Sequence, residues 1–443
     1  MKALAKSALS LGLAVGFCLG AAAIGGAALA QAAATPSATT PPAATPPAAA
    51  PPAAPVRPAG PRSTAKLGDG PWNVSSSQGN LRVEVVARGL DRPWGMAFLP
   101  DGGMLVTERS GKLRIVSKDG KLAPEPIAGL PDVFVIGISG LFDVALHPDF
   151  ARNHLIYLAY AKQQDPDDPD NQDAALAVMR ARWDGGHELK DVKDIFVATP
   201  WYGKQPVAER CCGQGPATGS FGGRLAFDRT GHLLITSGDR NYGELVQDPS
   251  NHIGKILRLN DDGSVPRDNP WVGIAGAAPE VWTTGHRNPL GLSLDPETGT
   301  MWESEFGPRG GDEVNRIERG ANYGWILVTQ GNHYNGTPAA GIKDVAGYAD
   351  PLKAFGPPSL NPGNLAVYRG AAFPRWDGDL LLASFTEGLL RFDVAADGTL
   401  GEPEYLLRDL GQRWRDVRVG PDGKVWMLSD EDDGALIRIS PRR

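Results

Sequence analysis

Short stretches in which apolar and polar residues alternate recur along most of the chain. In each copy an apolar stretch is followed by a turn that contains Asp or Pro with Gly, and then by a second apolar stretch. Period-two strands joined by such turns are typical of β-hairpins. The six copies run over 94–106, 141–157, 224–235, 290–302, 365–382 and 417–427. Six unevenly spaced hairpins predict an all-β protein, a six-bladed β-propeller with loops of variable length.

The two ends of this repeat region carry the pattern that would close such a ring. Residues 81–85 and 435–439 both alternate between apolar and polar positions. We expect them to share one blade, which hides both sheet edges; a pair of edge strands in a β-sandwich is the alternative. Chain length and repeat count favour the propeller. No strand is followed by the G-x-G-x-x-G pattern that opens a helix in nicotinamide-binding folds.

The N-terminal segment departs from the repeat pattern. Residues 1–30 combine the basic Lys2 and Lys6 with an apolar run and a small-x-small end at Ala28 to Ala30, which predicts a cleaved signal peptide. An uncleaved membrane anchor is the alternative, since the run is nearly long enough to span a bilayer. We expect a periplasmic or secreted protein with no stable membrane insertion after cleavage.

Residues 31–70 are rich in Ala, Pro and Thr and lack the branched and aromatic residues that build a core. They predict a disordered linker, with the propeller following over 75–443.

The charge balance narrows the range of partners. The chain has 44 Lys and Arg against 51 Asp and Glu, a formal net charge of −7. An acidic protein repels phosphate backbones, so we expect no nucleic-acid partner. A site for an anionic ligand would need a local cluster of arginines.

Two arginine-containing segments meet that need. Arg287 and Asn288 lie in a turn directly before a repeat strand, while Arg413 and Arg415 lie on the same face of an extended segment. Paired guanidiniums suit a polycarboxylate or a phosphate. For Arg287, a structural ion pair with a blade carboxylate is the alternative.

Two acidic segments end other repeat strands. Residues 302–313 interleave acids and glycines, as loops that offer carboxylates and carbonyls to Ca²⁺ do, although a turn with solvated acids has the same composition. Asp239 is either a turn cap or a catalytic group. If the repeats are blades, these acids and the arginines converge on one axis, which predicts a single site.

From Arg92 to the C-terminus the chain resembles the soluble PQQ-dependent aldose (glucose/sorbosone) dehydrogenases. The shared stretches cover residues 92–98, 254–260, 262–270, 285–292, 305–308, 320–325 and 413–416. The resemblance implies a six-bladed propeller with PQQ and Ca²⁺ at its mouth. It further implies cofactor contacts from Arg287, Asn288, Arg413 and Arg415, and Ca²⁺ binding by the carbonyls of Gly307 and Pro308.

The chain departs from the family at the catalytic base. Ser220 stands where the family has its catalytic histidine, and Asp239 matches the acid that orients that histidine. A neutral serine is not a base near pH 7 without an activating partner. We therefore predict that Asp239 accepts the proton, with a low pKa because of its position beside Ca²⁺ and Arg287.

Two further positions leave the cofactor contacts incomplete. Ile138 and Thr386 align with a glutamine and a lysine that contact PQQ in the family. The adjacent Cys211 and Cys212 lie just before the altered base. By analogy with a second class of quinoproteins they form a ring disulfide against the cofactor; two reduced thiols are the alternative.

These observations predict a periplasmic quinoprotein dehydrogenase that oxidises an aldose sugar or other alcohol by hydride transfer to PQQ, with an atypical base. Electrons would pass to an external acceptor, a cytochrome or a quinone. Two alternatives remain: a sugar- or anion-binding propeller that has lost catalysis, and a Ca²⁺-dependent, lactonase-like hydrolase.

Overall fold

The computed structural model describes residues 66–168, 170–202, 219–332, 334 and 346–442. Antiparallel sheets form a ring of six blades, which confirms the propeller predicted from the repeats. Within the described residues no helix has both the length and the apolar character needed to span a membrane.

Strands account for almost all of the regular structure. In chain order they are β1 (Trp72–Val74), β2 (Leu81–Leu90), β3 (Pro93–Phe98), β4 (Met104–Glu108), β5 (Lys112–Val116), β6 (Leu141–Leu146), β7 (Leu155–Gln163), β8 (Ala174–Arg182), β9 (Lys190–Val197), β10 (Gly222–Phe227), β11 (Leu233–Ser237), β12 (Lys255–Leu259), β13 (Val281–Thr284), β14 (Pro289–Leu294), β15 (Met301–Glu305), β16 (Asp312–Arg316), β17 (Lys353–Phe355), β18 (Pro362–Val367), β19 (Leu380–Ser384), β20 (Gly388–Phe392), β21 (Glu404–Leu406), β22 (Trp414–Val419), β23 (Val425–Ser429) and β24 (Gly434–Pro441). Within the described ranges the short helices are α1 (Phe150–Asn153) and the 3₁₀ turns at Gly243–Leu245, Pro374–Trp376 and Arg408–Leu410.

Each blade is a sheet whose first strand lines the central channel. Blade 1 contains β3–β5, blade 2 β6–β9, blade 3 β10–β13, blade 4 β14–β17 and blade 5 β18–β21. Blade 6 combines β22–β24 with β2 and β1. The inner strands contact one another in the closed cycle β3, β6, β10, β14, β18, β22. Their buried apolar residues, together with those of the second strands, form the cores between blades.

The predicted closure of the ring is confirmed. β2 pairs antiparallel with β24, with Val83 opposite Ile439 and Val85 opposite Ile437. The first and last long strands therefore lie side by side inside blade 6, and neither leaves an open edge.

The predicted start of the propeller was wrong by several residues. β1 lies N-terminal to residue 75 and pairs with β2, and Leu67 is already buried in the blade 6 core beside Leu81 and Val83. This contact was not predicted because the preceding segment is mostly Ala and Pro. Leu67 and Trp72 supply apolar surface that packs against blade 6.

Charged side chains at the third and fifth positions of three inner strands meet in the middle of the channel. We call Asp143, Arg224, Asp416 and Arg418 the plug. Arg224 Nη1 lies 3.1 Å from Asp143 and 3.3 Å from Asp416, while Arg418 lies 3.0 Å from Asp143 and 3.2 Å from Asp416. Asp143, Arg224 and Asp416 are fully buried. Two guanidiniums thus balance two carboxylates, and the bonds join blades 2, 3 and 6.

Aromatic rings pack next to the plug. The Trp94 ring lies 4.2 Å from the Arg224 guanidinium and contacts Phe142, which in turn contacts Phe221. Arg415 also lies 5.6 Å from Trp94, so this tryptophan joins the plug to one of the predicted cofactor arginines.

Candidate active site

The predicted site residues leave the blades at one end of the ring. Ser220 and Arg287 lie two positions before inner strands β10 and β14, and Arg413 lies directly before β22. Asp239 lies two positions after β11. In an antiparallel pair the start of one strand and the end of its neighbour meet, so all four residues belong to the same mouth of the channel.

Asp239 is buried at this mouth and is linked to Arg287. Its backbone N–H donates to the Arg287 carbonyl at 2.6 Å, and its carboxylate accepts bonds from Trp325 Nε1 and from the backbone N–H of Asn241, both at 2.9 Å. Burial raises the pKa of Asp239, and the positive charge of Arg287 only partly opposes this effect. Arg287 alone therefore does not outweigh desolvation; the low pKa expected from the sequence also depended on Ca²⁺ beside the carboxylate and stays a prediction.

Ser220, the residue that the resemblance aligns with the family histidine, lies close to Asp239. Its hydroxyl donates to Asn241 Oδ1 at 3.4 Å and also acts to lower the pKa of Asp239. The backbone of Ser220 has a φ of 49°, an uncommon conformation for a residue other than glycine. Among the described residues, the hydrogen-bond partners of Asp239 include no histidine.

Arg287 and Asn288 hold two loops of the mouth together. Arg287 donates from Nη1 to the Gly307 carbonyl at 2.7 Å and from Nη2 to the Tyr334 hydroxyl at 3.0 Å. The amide oxygen of Asn288 accepts the N–H of Gly222 at 3.2 Å, so it fixes the loop that follows Ser220.

The loop predicted to bind Ca²⁺ carries the Gly307 and Pro308 carbonyls next to Arg287. Asp312 anchors this loop by accepting the Gly307 N–H at 2.9 Å. A cation at the Gly307 carbonyl would share that oxygen with the Arg287 guanidinium, which a carbonyl with two lone pairs permits. The donor set of this loop, carbonyls with acids close by, fits a hard cation such as Ca²⁺.

A second group of donors lies in the same blade. Ligand atoms of His286, Glu303 and Glu305 all lie within 4.8 Å of one another, and all three residues are buried. Burial and the neighbouring Glu305 charge raise the pKa of Glu303 well above its ordinary value. Glu305 also accepts the Arg287 N–H at 2.5 Å, so this cluster helps to position Arg287, one of the predicted cofactor contacts.

Arg413 and Arg415 share one buried carboxylate. Asp430 lies 3.3 Å from Arg413 and 2.9 Å from Arg415. Each guanidinium lies 4.5 Å from the centre of the Phe385 ring. Burial lowers the pKa of Arg415 to about 10, against the opposing effect of Asp430, so this side chain stays positively charged at neutral pH.

An aromatic wall connects the two arginine groups. Phe385 stacks with Phe306 at 5.9 Å, and the Phe306 carbonyl accepts a bond from Arg287 at 3.3 Å. Guanidiniums around aromatic faces fit a flat, polyanionic ring system. The residues of this chain therefore fit PQQ, whose carboxylates and planar rings have that chemistry.

Some predicted contacts are absent and others were missed. Ile138 is exposed, and Thr386 donates to the Leu360 carbonyl; neither supplies the family's amide or ammonium. Cys211 and Cys212 lie outside the described residues. Trp325, which bonds Asp239, and Tyr334, which bonds Arg287, were not identified from the sequence as site residues. Trp325 lies in the family-like stretch 320–325, whereas no sequence pattern pointed to Tyr334.

Comparisons with known proteins identify the family to which the chain belongs. The model of the family "Glucose / Sorbosone dehydrogenase" matches residues 90–438. The chain is 39% identical to the aldose sugar dehydrogenase YliI of Escherichia coli, over 82% of this chain and 93% of that protein.

Two solved structures share the fold closely. The apo-form of the soluble aldose sugar dehydrogenase of E. coli has a TM-score of 0.74 at 37% identity, covering 82% of this chain and all of that one. The PQQ-bound aldose sugar dehydrogenase of Streptomyces coelicolor has a TM-score of 0.65 at 26% identity, covering 82% and 98%. The chain therefore belongs to the glucose/sorbosone dehydrogenase family, as a sugar dehydrogenase of the PQQ-type quinoproteins.

Proposed function

We propose that this protein oxidises an aldose sugar or a related alcohol with bound PQQ and Ca²⁺, using a Ser220–Asp239 pair in place of the family histidine. The observation that carries the proposal is the placement of the buried Asp239 beside Ser220 and Arg287 at the mouth. PQQ, when bound, supplies the two-electron acceptor for the hydride that leaves the substrate carbon.

The proton of the substrate hydroxyl needs a separate acceptor. Asp239 is fully buried, whereas Ser220 keeps 6% of its surface exposed. A hydroxyl both donates and accepts, so Ser220 can take the substrate proton while it passes its own to Asp239. The raised pKa of Asp239 brings the carboxylate closer to neutral pH, where a general base is most effective.

Other residues of the mouth would hold the cofactor and the cation. Arg413 and Arg415 suit its carboxylates, Arg287 suits a quinone oxygen, and the Gly307 and Pro308 carbonyls suit Ca²⁺. The electrons would leave for an external cytochrome or quinone.

The decisive experiment is reconstitution. Purified apo-protein is loaded with PQQ and Ca²⁺, and reduction of an artificial dye is followed across a panel of aldoses and alcohols, with PQQ binding measured in parallel. We expect PQQ binding and dye reduction with at least one sugar. Tight PQQ or sugar binding without turnover would support the binding-protein alternative, and lactone hydrolysis without PQQ would support the hydrolase.

Export to the periplasm or the medium is part of the proposal. It depends on the basic start and small-x-small end of residues 1–30. Mass spectrometry of the native mature protein should place its N-terminus at Gln31. An intact Met1 chain in the membrane fraction would contradict export with cleavage.

A further inference from the structure

Arg109 lies on the rim of the same mouth, at a position equivalent to two residues of the cofactor site. It directly follows β4, the second strand of blade 1, whose last residue Glu108 pairs with the first residue of β3. Phe385 and Asp430 follow the second strands of blades 5 and 6 in the same register. Blade geometry therefore places Arg109 at the same level along the channel axis as Phe385 and Asp430, which contact Arg413 and Arg415.

The Arg109 side chain lies between blade 2 and the Asp430 carboxylate. A Cβ atom added at Gly140 would come within 2.8 Å of Arg109 Cγ, so the stem packs against the loop that carries Ile138. Arg109 interacts electrostatically with Asp430 and with Arg415. Its guanidinium forms no hydrogen bond or ion pair within the described part of the chain, although it is only partly exposed.

Asp430 is a buried carboxylate that three guanidiniums share. Those of Arg109, Arg413 and Arg415 act on it, and one of its oxygens, Oδ1, has no hydrogen-bond partner among the described residues. Less buried acids lie on the same rim: Asp91 and Asp432 act on Arg109, and Glu431 acts on Arg413. Arg92 differs from Arg109 because its guanidinium pairs directly with Asp432 at 2.5 Å. Arg109 thus has carboxylates around it but no direct bond to them within the described part of the chain, which leaves its guanidinium available to a ligand.

We propose that Arg109 is a third anchor for the carboxylates of the cofactor, a contact that rests on the proposed PQQ-dependent function. It supplies positive charge next to the loop that carries Ile138, the residue that aligns with the family's cofactor-contacting amide. A ligand with one carboxylate would be served by Arg413 and Arg415 alone; three guanidiniums suit a ligand that carries several.

The test is a titration of PQQ into apo-protein with Ca²⁺ present, followed by quenching of tryptophan fluorescence and by calorimetry. Arg109→Ala should raise the Kd about tenfold to a hundredfold, the effect of losing one charged hydrogen bond. Arg109→Lys keeps the charge without the planar fork, so its Kd should lie between those of the parent and Arg109→Ala. Arg92→Ala is the matched control, with a Kd within about threefold of the parent.

The outcomes separate this inference from the proposed function. A parent that binds PQQ and an Arg109→Ala variant with the same Kd would overturn the third anchor and leave the function intact. A parent that does not bind PQQ would overturn both. If Arg92→Ala weakened PQQ binding as much as Arg109→Ala, the third anchor would also be overturned. The loss would then reflect the overall positive charge of the rim rather than a contact made by Arg109. Thermal midpoints of all variants show whether a change in Kd reflects misfolding.

Discussion

The plug and the mouth place buried arginines and aspartates in the same channel but pair them differently. In the plug, Arg224 and Arg418 face Asp143 and Asp416, and the two carboxylates also accept backbone N–H groups of Leu225 and Met96. At the mouth, three guanidiniums act on the buried carboxylate of Asp430, with less buried acids near them. Both guanidiniums of the plug are paired, whereas that of Arg109 has no direct partner within the described part of the chain.

This contrast separates structural charge from functional charge. A buried ion pair contributes little net stability over an apolar replacement, but removing one partner is costly because the other charge stays buried and unpaired. The plug should therefore respond to substitution through stability. The mouth should respond through ligand binding and turnover.

The largest effect should follow Asp239→Asn, which removes the proposed proton acceptor. Turnover should fall by about 10²- to 10⁴-fold, the contribution of a general base. The chemical-denaturation midpoint should change little, because the variant removes a buried charge that the fold itself opposes. Asp397→Asn, in an exposed turn, is the control. Turnover within tenfold of the parent would show that another group accepts the proton.

The plug is tested by Asp416→Ala. Loss of this carboxylate leaves Arg224 and Arg418 short of a partner and should lower the free energy of unfolding by about 3–5 kcal/mol. Urea denaturation measures the change. The PQQ affinity of the folded protein should stay within about threefold of the parent. A stable variant with weakened PQQ binding would show that the plug belongs to the cofactor site.

The arginine pair of the mouth should show the reverse behaviour. Arg413→Ala should weaken PQQ binding by about 1.5–3 kcal/mol, the contribution of a charged hydrogen bond. Its unfolding free energy should change by less than about 1 kcal/mol, because the Arg413 side chain is 31% exposed. Calorimetry and urea denaturation measure the two quantities. A large loss of stability would make Arg413 part of the scaffold.

The smallest effect concerns pH. Because burial raises the pKa of Asp239 above its ordinary 3.8, activity should fall on acidification already above that value, as the carboxylate gains its proton. The same shift makes the ionised form unfavourable in the folded state, so the contribution of Asp239 to stability falls as pH rises through its folded pKa.

Ser220→His extends this test. The variant should add an imidazole titration near pH ~6.5 and raise the rate of sugar oxidation. Rate profiles from acid to neutral pH give both results. An imidazole-like step already present in the parent would contradict Asp239 as the base.

Local patterns predicted the blades and the composition of the site, but not its electrostatics. Alternation and turn residues identified the hairpins, and the arginine-rich turns pointed to Arg287 and Arg413. The plug was not predicted, since it joins Asp143 to Arg418, 275 positions apart, and no local pattern reports such a pair. The raising effect of burial on the pKa of Asp239 was not predicted, because the sequence does not show how fully its neighbours exclude water. Arg109 was missed because a single arginine after a strand has no distinguishing context.

The pairing of β2 with β24 also has a consequence for biosynthesis. Glu84 contacts Arg438 across 354 positions, so blade 6 stays incomplete until β24 has been translated. A nascent chain lacking residues 434–441 exposes the edges of β2 and β23, which β24 separates in the folded protein. The ring would thus be completed only after β24 has left the ribosome. A chain truncated just before β24 would lack the strand that joins β2 to β23.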